Sequence, residues 1–88
     1  MYIYDMELDP EIEAVGDALR YAETKHPNYP KSLHRRMSIL TEEIGEVAKA
    51  ILDYEDNRGD VEDIKHELRQ SAAMCFRFLK HLNKEEKE

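Results

Sequence analysis

The chain has 88 residues, with 13 basic and 20 acidic side chains, a net charge of −7 and one cysteine. That length fits a single domain over 1–88, near the size at which a lone core is only marginally stabilising. A single Cys75 excludes an internal disulfide, and the acidic balance excludes a nucleic-acid polymer or an anionic membrane as main partner, since both need clustered positive charge.

Met1–Glu7 lack the basic start and long apolar run of a signal peptide. No apolar stretch approaches the roughly 20 residues that span a bilayer, and a lone cysteine suits a reducing compartment, so a cytoplasmic protein is expected. Tyr2 and Tyr4 alternate with Ile3, too short a run to build a sheet. The first helix is predicted to start at Asp9-Pro10, an N-cap residue followed by proline at the first helical position. Ile12, Val15, Leu19 and Ala22 share one of its faces, and it stops near His26-Pro27 because Pro27-Asn28-Tyr29-Pro30 cannot continue it.

Ser32 caps the second helix, which is expected to run to about Asp56 and turn at Asn57-Arg58-Gly59. Its apolar stripe is Leu40, Ile44, Val47 and Ile51. Asp60 then caps the third helix, with Asp63 three residues on in a capping-box-like arrangement. Val61, Ile64, Leu68, Ala72, Cys75, Leu79 and Leu82 line that helix, and the charged tail 83–88 is expected to fray. The fold class is all-α: a long helical hairpin plus an N-terminal helix. Hairpin helices of about 22 to 25 residues would be about 33–37 Å long. Three helices, two of that length, leave an open groove, which a second copy closes into a four-helix bundle, so a homodimer or homotetramer is expected.

Glutamates sit along this hairpin where apolar residues would be simpler. Glu43 borders the stripe beside Leu40, Ile44 and Val47, Glu46 follows one turn on, and Glu42 precedes them. With thirteen glutamates in the chain, a bare Glu-Glu-x-x-Glu arises in roughly one shuffled sequence in four, so the pattern alone equally describes a solvated face with Lys49 and Lys65 as ion-pair partners. The third helix changes the balance, because Glu67 lies between Ile64 and Leu68, with Gln70 on the same side. Folding back at Asn57–Gly59 brings Glu43/Glu46 and Glu67/Gln70 to comparable heights. Converging carboxylates repel one another, and a hard divalent cation such as Mg²⁺ resolves that.

The segments Thr41-Glu42-Glu43-Ile44-Gly45-Glu46-Val47-Ala48-Lys49-Ala50-Ile51 and Glu67-Leu68-Arg69-Gln70-Ser71-Ala72-Ala73-Met74 resemble the two motif helices of the MazG-like all-α nucleoside triphosphate pyrophosphohydrolases. The resemblance covers roughly residues 33 to 82. It implies cleavage between the α- and β-phosphates of a (deoxy)nucleoside triphosphate to the monophosphate and pyrophosphate, with Mg²⁺ or Mn²⁺. It also implies Glu43, Glu46 and Glu67 as metal ligands, Gln70 at the fourth ligand position, and Glu42 supporting the site or orienting the attacking water, with Glu42 and Glu43 as the catalytic pair. Gln70 stands where the family carries aspartate. An amide ligates without charge, which leaves open a weaker or smaller metal complement, compensation by Asp63, or lost activity. A phosphoribosyl-ATP pyrophosphohydrolase and a catalytically inactive helical oligomer that binds or regulates are the other readings.

Of the remaining polar residues, Lys31, Arg35 and Arg36 form the one basic cluster, a solvated helix start or a phosphate contact. Arg35, Lys49 and His34 are the substrate-binding candidates. Tyr21, Tyr29 and Tyr54 can stack on a base or pack in an interface. Met74, Phe76, Phe78 and Leu79 read as helix packing, and no base stands beside Ser71 or Cys75 to activate a nucleophile.

Overall fold

The computed structural model describes residues 9–87. Helix α1 spans Pro10–Lys25, α2 Leu33–Glu55 and α3 Val61–Lys87, and the described residues contain no strand. Tyr2–Tyr4 and the rest of residues 1–8 lie outside the described residues.

Side-chain caps set the helix starts. The Asp9 carboxylate accepts from Glu11 N at 2.7 Å and Ile12 N at 3.4 Å, and Ser32 Oγ accepts from Arg35 N at 3.3 Å. At α3, Asp60 Oδ1 accepts from Glu62 N and Asp63 N, while Asp63 Oδ2 accepts from Asp60 N at 3.1 Å, a reciprocal pair that satisfies otherwise orphaned amides. Between α2 and α3, Asn57 takes the left-handed conformation (φ 60°), which asparagine tolerates better than most residues. Gly59 serves space instead. A Cβ there would lie 3.1 Å from Asp63 Oδ2 and 3.4 Å from Asp53 Cβ.

Helix α3 is the hub. Both α1 and α2 pack on it, and they do not pack on each other. The fully covered apolar side chains are all small, namely Ala18, Ala22, Ala50 and Ala73, with Ser71 among them, which lets helix axes approach closely. Polar ties fasten α1 to α3: Arg69 to Glu11 (2.8 Å) and Lys80 to Glu23 (2.8 Å). Arg77 adds two more, donating to Ala22 O (3.4 Å) and His26 O (2.5 Å).

Arg36 belongs to this framework and not to a solvated cluster. It is 1% exposed, donates through Nε to Pro30 O (2.7 Å), and grips Glu85 with both Nη atoms (3.1 and 2.5 Å). Its guanidinium and that of Arg77 lie 5.2 and 4.5 Å from the Tyr29 ring centroid, and His81 meets the same ring at 4.6 Å. Glu85 thus holds a tertiary partner, and α3 continues through the charged tail to Lys87, beyond the end of its apolar stripe. Burial, with Arg36 and Arg77 nearby, pushes the His81 imidazole below its usual range.

The apolar stripes of α2 and α3 are only partly covered. Ile44, Leu68 and Leu79 each remain more than half exposed, and Leu33, Met37 and Ile51 are also exposed. The cause is topological: α2 touches α3 alone, and α1 occupies another side of α3, so one face of the hairpin meets no helix. Leu40, Cys75, Phe78, Leu79 and Leu82 line an open apolar furrow along this face. The accessible surface is 7090 Å² for 10.4 kDa, where a compact monomer of that mass exposes about 5,400 Å². The radius of gyration, 15.0 Å, likewise exceeds the roughly 12 Å of a compact chain this long.

The bidentate Arg36 contact holds the Glu85 carboxyl below its ordinary 4.5, so the unfolded chain takes up this proton first on acidification. The stability from the contact is complete above the ordinary carboxylate range and disappears as pH falls through the lowered value. Thermal melts from pH 7 to pH 3 should show a smaller acid-induced drop for Glu85→Gln than for the parent chain, because the variant has already lost that contribution at neutral pH.

Candidate functional site

Two concavities meet along the seam between α2 and α3. The larger, a cleft of 490 Å³, opens between α1 and α2 with α3 as its floor. Tyr21 and His26 come from α1 and Tyr29 from the connecting loop. Ile39, Glu42 and Glu43 come from α2, and Gln70, Met74 and Arg77 from α3. The smaller is a groove of 190 Å³, lined by Glu46, Lys49, Ala50 and Asp53 of α2 and Asp63 and Glu67 of α3. Positions 63, 67, 70, 74 and 77 advance by four and three residues alternately, as do 39, 43, 46, 50 and 53 on α2. Each set is therefore one row on its helix, and the row on α3 is about 21 Å long. Cleft and groove form one trough between facing rows.

Charge varies along the trough. Glu42 and Glu43 stand at the cleft's polar end, and Glu46, Asp53, Asp63 and Glu67 make the groove acidic against a single Lys49. The Glu43 carboxyl is raised above its ordinary value, first by burial, then by Glu67, Glu46 and Glu42, with His66 opposing. Asp53 meets Arg58 at 3.6 Å, whereas Glu42, Glu43, Glu46 and Glu67 form no ion pair among the described residues. Among the described residues no three His, Cys, Asp or Glu side chains converge to cage a metal ion unaided. The donors are all hard oxygens, however, and Mg²⁺ completes its octahedron with waters and ligand oxygens more often than with protein alone. Glu43 lines the cleft while Glu46 and Glu67 line the groove, so a cation held by these three would depend on waters and ligand oxygens for the rest of its shell.

The candidate residues thus fall into distinct places. Glu42, Glu43 and Gln70 line the cleft, whereas Glu46, Glu67 and Lys49 line the groove. Asp63 reaches the groove too, but its Oδ2 is engaged by the Asp60 amide, so offsetting the missing charge at Gln70 would compete with the α3 cap. Arg35 sits over a separate shallow furrow beside Asn28 and Ile39, and His34 is exposed. Asp53 and Arg77 escaped the sequence reading. Their signal was the same four-three spacing carried one step further along each row.

The far end of the cleft differs. Arg77 is 3% exposed, makes no ion pair among the described residues, and its Nε is buried without a hydrogen-bond partner. Burial raises the Tyr29 phenol above its ordinary 10, with Arg36 and Arg77 opposing. The trough therefore has an aromatic end backed by an unneutralised guanidinium and an acidic end. No family model, curated protein or solved structure matches this chain.

Removing the repulsion at Glu43 should stabilise the metal-free protein. Glu43→Gln is expected to raise the melting midpoint at pH 7 by about 2–4 °C, the equivalent of about half a kcal/mol after solvent screening. Calorimetry in the presence of a chelator reads this shift.

Proposed function

We propose that the chain is a Mg²⁺-dependent nucleoside triphosphate pyrophosphohydrolase of the MazG-like kind, releasing a nucleoside monophosphate and pyrophosphate. The observation that supports it best is the facing arrangement of Glu43 with Gln70 and Glu46 with Glu67 on matched rows, beside a cleft large enough for a small ligand. Bound at these carboxylates, Mg²⁺ would offset phosphate charge and acidify a water molecule. In this reading Glu42 would orient that water and Glu43 would take its proton. Water oxygen bonds to the α-phosphorus, the bond to the bridging oxygen breaks, and pyrophosphate leaves with the electron pair. Lys49, alone among carboxylates in the groove, is the cation available to the leaving phosphates.

Pyrophosphate release from a panel of NTPs and dNTPs tests this reading, and Glu43→Ala and Glu46→Ala should each lower the rate at least a hundredfold. Gln70→Asp should tighten Mg²⁺ binding. Turnover confined to phosphoribosyl-ATP would select the histidine-pathway reaction. No turnover, together with no metal-dependent stabilisation, would leave a non-catalytic binding module.

The working form in this reading is a homo-oligomer, with a second copy on the bare hairpin face. The excess of about 1,700 Å² of surface over a compact monomer exceeds the roughly 800 Å² that each partner of a standard interface buries. Ile44→Asp and Leu79→Asp, both at exposed positions, should convert the assembly to monomers in light scattering. A parent chain that is already monomeric at micromolar concentration would refute the assembly.

A further inference from the structure

The polarity of the trough assigns an orientation to an amphiphilic ligand. Its acidic end, at Glu46, Asp53 and Glu67, repels a bare base or sugar less than it repels phosphate, but accepts phosphate through a cation. Its other end offers the exposed Tyr21 ring and the Met74 and Ile39 side chains, surfaces on which a planar ring gains by stacking and burial. A cleft of 490 Å³ lies within the range of small-ligand pockets.

Arg77 supplies the independent observation. A guanidinium 97% withdrawn from solvent normally faces a carboxylate, because an unpaired buried charge is costly. Here its Nη atoms meet two main-chain carbonyls, the guanidinium lies 4.5 Å from the Tyr29 ring centroid, Nε has no hydrogen-bond partner, and the residue forms part of the cleft wall. Glu42 and Glu43 line the same cleft without forming an ion pair with it. The uncompensated positive charge gives this end of the cleft a potential that favours an electron-rich edge, such as a ring carbonyl oxygen.

We propose that the cleft between α1 and α2 seats the nucleoside half of the substrate, with the base against Tyr21, and that Arg77 makes the site prefer bases carrying a ring carbonyl. The proposal rests on the nucleotide reading above and adds to it the base class and the residues that select it. Tyr21 is 62% exposed in the empty cleft, so it is available to a ligand and its loss does not open the core. Met74 sits one turn beyond Gln70 on the floor, where a larger side chain occupies the space of the base.

Free nucleosides test this without hydrolysis or metal. In a chelator, uridine, thymidine, guanosine and adenosine are titrated into the isotope-labelled full chain, and amide shifts are followed. The three carbonyl-bearing nucleosides should bind with shifts centred on Tyr21, Tyr29 and Met74, and adenosine, which has no ring carbonyl, at least fivefold more weakly. Tyr21→Ala should weaken binding about tenfold, and Met74→Trp should abolish it while the dispersed spectrum persists. Absence of shifts for every nucleoside at millimolar concentration, or unchanged binding in both variants, would overturn the proposal. Adenosine binding as tightly as uridine would overturn the part given to Arg77. Nucleoside binding without any triphosphate turnover would instead sink the hydrolase reading and leave the cleft assignment standing.

Discussion

Everything in this molecule depends on one constraint: α1 and α2 each rest on α3 and never on one another. A third helix placed against both members of the hairpin would fill the space over α3. Placed against α3 alone, it leaves a cleft whose floor is α3 and whose walls are two separate helices. The same arrangement leaves the opposite face of the hairpin bare, with Ile44, Leu68 and Leu79 half in water. A ligand-sized opening and an apolar face are therefore two results of a single packing choice. The small covered side chains, Ala50 and Ala73 among them, make that choice workable by letting the helices approach closely.

The second determinant is where charge is neutralised and where it is not. At the loop end, Arg36 is matched by Glu85, and Arg69 by Glu11, so these pairs fix geometry. Along the seam Glu42, Glu43, Glu46 and Glu67 have no such match among the described residues, and burial together with these neighbours raises the proton affinity of Glu43. Arg77 shows the converse, a buried cation that meets two carbonyl dipoles and the Tyr29 ring but no carboxylate among the described residues. Structural pairs close on themselves, whereas Glu43, Glu46, Glu67 and Arg77 border the trough without an ion-pair partner among the described residues. That partition separates scaffold from candidate site with no appeal to family.

Much of the fold was legible because it is set by local chemistry. Asp9-Pro10, Ser32 and Asp60 mark helix starts through side-chain contacts spanning two or three residues, and any such sequence presents them openly. The seam positions 43, 46, 67 and 70 follow from spacing and the length of the turn. What spacing cannot show is which face another helix covers. The stripe through Leu40, Ile44 and Ile51 is apolar in sequence, yet nothing local says that α1 would settle on α3 elsewhere. Arg36 read as part of a solvated basic cluster for the same reason. Its acceptors, Pro30 O and Glu85, are brought to it only by the tertiary fold. Arg77 was hidden among Met74, Phe76 and Phe78, where an arginine in an apolar run looks like a surface interruption.

The Arg36–Glu85 grip has a practical bearing on how the protein is handled. Arg36 holds Glu85 with one edge and the Pro30 carbonyl with its Nε, so the last turn of α3 is wired to the loop that carries Tyr29. The carboxy terminus is in effect a guy-rope for the cleft wall, anchored some fifty residues away in sequence. Trimming the tail as a disposable extension, or fusing an affinity tag close behind it, would slacken that rope.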